Sequence, residues 1–219
     1  MASYHFQLMP SDVHYVPDPR HLAGALEFLR HSRIVGHRGK LRVTWSSAVV
    51  GGTTEEALET TEIVRKLEEM SGKPHEALIV NELSILEGAG QVLVSDSEGA
   101  SLRGGVVTFE TSPQPMGTFD TVMTGGDYRI ECPSCGEEEA VAEWTTIPGD
   151  DYTVRCPKCG GSGKIYEMAF HPEAFWSKFT LSFTWFTGVG VPRLRDPQWL
   201  TFLEQHLGCG LKTVFTGLA

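Results

Sequence analysis

Four of the five cysteines stand in two matching tetrapeptides, Cys132-Pro133-Ser134-Cys135 and Cys156-Pro157-Lys158-Cys159, each followed by a glycine. Two C-x2-C pairs separated by twenty residues, Gly136 to Arg155, have the spacing of a tetrahedral metal site. Each tetrapeptide must curl so that both sulfurs face one point, and the glycine lets backbone amides turn toward the thiolates. The expected ligands are therefore Cys132, Cys135, Cys156 and Cys159 around one Zn2+. Four thiolates fill the shell and leave no position for water, so the ion is expected to be structural rather than catalytic. Two disulfides would need an oxidising compartment that nothing in the sequence suggests, and a redox C-x-x-C normally stands alone near a βαβ unit.

Between the cysteine pairs, Ala140 to Thr146 reads as a strand, Pro148-Gly149-Asp150 as a turn and Tyr152 to Arg155 as the returning strand; after the second pair, Lys164 to Met168 reads as a third. Knuckle, hairpin, knuckle, strand is the layout of a zinc ribbon, and the chain from about Tyr128 to Phe170 resembles that family. The resemblance implies a small β-sheet held by a zinc ion with four cysteine ligands. From Arg129 onward the chain also resembles a diffuse group of uncharacterised bacterial proteins. In these, two cysteine knuckles precede an aromatic segment and a helix ending in Leu-Gly-x-x-Leu-basic-x-x-aromatic. Leu207-Gly208-Cys209-Gly210-Leu211-Lys212-Thr213-Val214-Phe215 carries that pattern here, with Gly210 as an insertion. Some of the group are labelled sugar ABC transporter ATPases. The residues do not support such an activity: in Gly160-Gly161-Ser162-Gly163-Lys164 the Ser or Thr that would hold magnesium is replaced by Ile165, and no glycine lies five residues before Gly163.

Other reactive residues give weaker signals. No Gly-x-Ser-x-Gly elbow, His-Glu-x-x-His helix or dinucleotide fingerprint is present, so no catalytic residue is assigned. Cys209 with His206 is the best nucleophile candidate, but Gly208 marks a helix end and favours a buried structural role for Cys209. His5, His14, His21, His31 and His37 crowd the N-terminal part. His14 and His21 with Asp18 would suit metal or acid-base chemistry, but no spacing recommends it over scattered surface positions.

Two similar units are expected to flank the ribbon. Asp18-Pro19 and Asp196-Pro197 each put an N-cap before a proline at the first helical position. Leu22, Ala25 and Leu29 in the first helix match Leu200, Leu203 and Leu207 in the second, one apolar stripe at helical spacing. Strands are expected before each helix, at Tyr4 to Leu8 and Phe179 to Phe186, and after each, at Leu41 to Trp45 and Leu211 to Phe215. A further helix is placed where Thr53 and Glu56 suit a capping box and Ile63, Val64, Leu67 and Met70 form its buried face. Strand-like runs follow at Ala77 to Val80, Gln91 to Ser95, Gly105 to Glu110 and Phe119 to Met123. The expected fold is α+β with a mostly antiparallel sheet, divided into an N-terminal part (1–127), the ribbon (128–170) and a C-terminal strand-helix-strand unit (171–219) packing on the N-terminal part.

With 219 residues, 41% of them hydrophobic, the chain can build a sizeable core. The start of the chain lacks a signal peptide's pattern and no run is long enough to span a membrane, so a cytoplasmic protein is expected. A net charge of −10 argues against a surface for nucleic acid and favours a basic protein partner, as for an immunity protein meeting a toxin or for an adaptor. Glu137 to Glu139 would be an acidic knob for such a partner, with Trp144, Trp176 or Trp185 as anchors unless they serve the core. A nucleic-acid or ribosome-associated role would instead need Arg155, Lys158 and Lys164 to form a patch with Trp144 or Tyr166.

Overall fold

A computed structural model describes residues 3–45, 52–86, 89, 93–95, 104–118, 128–185 and 192–218. In chain order these form β1 (Ser3–Pro10), α1 (Pro19–His31), β2 (Arg38–Trp45), β3 (Gly52–Glu59), α2 (Thr60–Met70), β4 (Ala77–Ser84), β5 (Leu93–Ser95) and β6 (Val106–Thr118). There follow β7 (Arg129–Glu131), β8 (Glu138–Ala140), β9 (Thr145–Ile147), β10 (Asp150–Arg155), β11 (Ser162–Lys164) and β12 (Ala169–His171). The chain closes with β13 (Phe175–Trp185), β14 (Pro192–Leu194), α3 (Pro197–Leu207) and β15 (Leu211–Leu218). The fold is α+β with a mostly antiparallel sheet, as expected.

The main sheet has seven strands in the order β15-β1-β13-β6-β4-β2-β3, every neighbouring pair antiparallel. Alternation along β2, β4, β6 and β13 sends Leu41, Val43, Leu78, Val80, Val107, Phe109, Phe179, Leu181 and Phe183 into one core. The apolar stripes of α1, α2 and α3 fill the same core: Leu22, Ala25 and Leu29 are fully buried, as are Ile63 and Leu67 and the pair Leu203 and Leu207.

Both strand-helix-strand units are present. Because every neighbour is antiparallel, β1 and β2 run the same way four steps apart, and β13 and β15 run the same way two steps apart. The first unit crosses over three strands toward one edge, and the second crosses over β1 toward the other. Their helices meet through Phe28, whose ring centre lies 5.6 Å from that of Trp199 and 5.3 Å from that of His206.

Both aspartate caps form, Asp18 accepting from the Arg20 amide at 2.8 Å and Asp196 from the Gln198 amide at 2.9 Å. Asp18 also accepts from the Ser71 hydroxyl at the end of α2, at 2.8 Å, which ties two helix ends together. Burial raises the Asp18 pKa, but the Arg20 amide, the Ser71 hydroxyl and the nearby cations outweigh it and hold the carboxyl below its ordinary value. Asp18→Ala is expected to cost about 1–2 kcal/mol at neutral pH. A depressed carboxylate stabilises above its unfolded pKa of about 4, and that contribution fades as pH falls through the lower folded value. The stability gap between the two proteins in urea melts should therefore narrow as pH falls below about 4; a gap that stays constant into acid would refute the charged-cap account.

One local reading is corrected. Thr53 and Glu56 make no capping box: Gly52 to Glu59 is the edge strand β3, paired residue for residue with β2 from Trp45↔Gly52 to Arg38↔Glu59. The helix begins at Thr60 with no side-chain cap, although its predicted buried face is correct. Cross-strand ion pairs such as Arg42–Glu55 and Arg38–Glu59 hold this segment in the sheet, against its local helical signal. The expected strand Phe119 to Met123 and the start of that at Gln91 lie outside the described residues.

Candidate metal centre

The ribbon is two three-stranded sheets, β12-β7-β8 and β11-β10-β9. The single strand expected over Ala140 to Thr146 is interrupted by a 3-10 turn at Val141–Glu143, and Lys164 to Met168 is largely a 3-10 turn at Ile165–Glu167. The two corrections have one cause, a repeat with an offset of 24 residues that takes Cys132 to Cys156 and Cys135 to Cys159. The same offset takes β7 to the end of β10, β8 to β11, one 3-10 turn to the other and β9 to β12. The halves exchange their last strands: β9 pairs with β10 and β12 pairs with β7. Cys-Pro-x-Cys-Gly with a glutamate seven residues after the glycine, Glu143 and Glu167, was the legible signal of this repeat.

Each half builds its knuckle in the same way. The Gly136 amide donates to the Cys132 carbonyl at 2.8 Å and the Gly160 amide to the Cys156 carbonyl at 3.0 Å. The Cys132 and Cys156 amides then donate to the Glu137 and Gly161 carbonyls. Gly136 and Gly160 have φ of 72° and 73°, a left-handed turn that a side chain would strain. Ile130 and Val154, the apolar residues before each pair, form the ribbon core with Tyr128, Trp144 and Phe170.

All four sulfurs lie within 4.8 Å of one another, with Cys132 and Cys156 buried and Cys135 and Cys159 exposed. Cys132 Sγ is 3.7 Å from Cys159 Sγ, and Cys135 Sγ is 3.9 Å from Cys156 Sγ. A disulfide needs about 2.05 Å, whereas a tetrahedron with metal–sulfur bonds of about 2.3 Å has sulfur–sulfur edges of about 3.8 Å. The four thiols thus have the size and number of ligands for one metal ion. Their electrostatics agree. Burial opposes ionisation of Cys132, yet the amides of Ser134 and Cys135 and the adjoining thiols lower it to about 6. For Cys135 the Glu137 amide favours the thiolate, but burial and the three other sulfurs push the thiol up to about 12. A cation bound among the four sulfurs would favour the thiolate form of each.

The other candidates do not converge. Cys209 packs against the main core, and burial, then Glu204, raise its thiol to about 11, which makes it a poor nucleophile. The His206 ring lies on Phe28. His14 meets Tyr166 edge-on, His21 lies beside Gly208, and Asp18 is occupied as a helix cap. Two pockets among the described residues, of about 90 Å3 beside Tyr166 and Trp176 and about 220 Å3 between β2 and α2, include none of these cysteines or histidines. Both fall short of the roughly 300 Å3 at which ligand sites begin. Trp144 and Trp185, 8% and 1% exposed, are core residues, and Trp176 is half-buried. Among the described residues the exposed aromatic is Phe202 on α3, at 48%. Among the described residues no helix is long and apolar enough to cross a membrane.

Compared with protein-family models, curated proteins and solved structures, the chain matches none, so neither the zinc-ribbon family nor the transporter-ATPase label gains support there.

Proposed function

We propose that the four cysteines hold one structural Zn2+, and that the chain is a non-enzymatic cytoplasmic protein whose acidic ribbon face binds a basic protein partner, as an immunity-type toxin neutraliser or an adaptor. The closed all-thiolate shell supports zinc in a structural role. The partner reading rests on the distribution of charge about the first knuckle. Glu131, Glu137 and Glu138 reach solvent there. Two of the ribbon's cations are already engaged, Lys158 with Glu139 at 2.9 Å and Lys164 with Asp150. The acidic knob is therefore Glu131, Glu137 and Glu138, while Glu139 turns back to the second knuckle. Nucleic-acid docking loses support for the same reason, and because Trp144 is in the ribbon core and unavailable for stacking.

A partner captured from the native cell supplies the test. Long-range attraction mainly accelerates encounter, so Glu137→Lys with Glu138→Lys should slow association roughly tenfold at low salt and flatten its salt dependence. The metal held tightly by the four cysteines should not change. An unaltered association rate across salt would remove the acidic-face mechanism, and submicromolar binding of DNA or RNA near physiological salt would replace it with the nucleic-acid reading.

A further inference from the structure

Beyond the four cysteines, the described residues contain one other gathering of metal-ligating side chains: Glu131, Glu138 and His171. They come from three adjacent strands, β7, β8 and β12. Glu131 lies directly opposite Glu138 across one pair and opposite Ala169 across the other, while His171 and Ala140 flank Arg129. Ile130 and Phe170 point into the ribbon core, so the alternation of the strands puts Glu131, Glu138 and His171 on the outer face. The small side chains of Ala140 and Ala169 leave room above the sheet for the three long ones to converge.

His171 Nε2 is 3.6 Å from Glu131 Oε2 and 3.8 Å from Glu138 Oε1. A tetrahedral ion with bonds of about 2.0–2.1 Å to nitrogen and oxygen would set these separations near 3.4 Å. Exposed, rotatable side chains can close that difference. Two glutamates placed directly across a strand pair repel each other, a cost that a shared cation removes. The ribbon framework does not require this group, since the repeat puts Arg155, Ser162 and Ile147 at the corresponding places in the other half.

We infer that Glu131, Glu138 and His171 form a second, exchangeable site for a divalent transition-metal ion such as Zn2+, Co2+ or Ni2+. One imidazole with two carboxylates selects these ions over Mg2+ and Ca2+, which favour all-oxygen shells. Three protein ligands leave a position open to water, so exchange is fast compared with the closed cysteine centre. The inference does not depend on any protein partner.

The test is calorimetric titration of Zn2+ or Ni2+ into the full-length protein whose cysteine centre is already loaded, without partner. The expected result is one saturable site of roughly micromolar affinity, weakened at least about tenfold by His171→Ala and by Glu138→Gln, and not displaced by excess Mg2+. Tightly held metal and the thermal transition should be the same in these variants as in the parent, because the three side chains are exposed. No saturable binding up to about 1 mM, equal binding by both variants, or displacement by Mg2+ would each overturn the inference.

Discussion

Replacing Cys156 with serine is expected to strip the purified protein of its tightly held ion and to unfold the ribbon while the seven-stranded sheet persists. Structural zinc contributes on the order of 10–16 kcal/mol to folding of a small module. The ribbon core, centred on Ile130, Val154, Trp144 and Phe170, cannot replace that. Cys156 is also buried, with its amide and carbonyl both engaged in the knuckle, so a serine there loses a ligand without releasing the turn. The repeat adds a sharper requirement: Cys132→Ser should give the same phenotype, because Cys132 occupies the equivalent buried position with equivalent hydrogen bonds. Metal analysis after dialysis should find one zinc per parent chain and none in either variant, and calorimetry should show loss of one unfolding transition. A chelated parent protein that melts unchanged, or a second ion surviving dialysis, would refute the single structural centre.

Phe183→Ala should be the most damaging single truncation in the main core. The side chain is fully buried on β13, at the pair β1–β13 from which both strand-helix-strand units depart. Its ring centre lies 5.9 Å from that of Phe6, 6.4 Å from that of Trp185 and 6.4 Å from that of Trp199 on α3. A phenylalanine removed from such a setting costs about 3–5 kcal/mol through lost transfer energy and a residual cavity. Against the roughly 5–15 kcal/mol that holds a typical domain, this is a large share, and it lowers the melting temperature by roughly 6–20 °C in a chain of this size. Phe202→Ala, at the half-exposed ring on the same helix layer, should cost less than about 1 kcal/mol. Denaturant melts with zinc content held constant would decide. Similar costs at both positions would show that Phe183 is not the packing centre its contacts indicate.

The four-cysteine cluster was legible in the sequence because the geometry of a knuckle is local. Cys-Pro-x-Cys-Gly brings two sulfurs together within one turn, whatever the rest of the chain does. The Asp-Pro helix starts and the stripes of α1 and α3 were legible for a similar reason, since a cap and a 3.6-residue period are properties of adjacent residues. Where the neighbourhood was distant, local signals misled. The segment from Thr53 to Glu56 has helix-capping residues yet forms the edge of the sheet, because β2 offers it a full ladder of hydrogen bonds and opposite charges. The exchange of β9 and β12 between the ribbon halves was equally hidden, although the 24-residue repeat that produces it was written in the cysteines and glycines. By itself the sequence determined which four cysteines gather and the starts of two helices. Only the tertiary structure decided which strands pair, and with them that Glu131, Glu138 and His171 stand together. Side chains on separate strands become neighbours through register alone, and register is set by the burial of Ile130 and Phe170 in a core that no single segment contains.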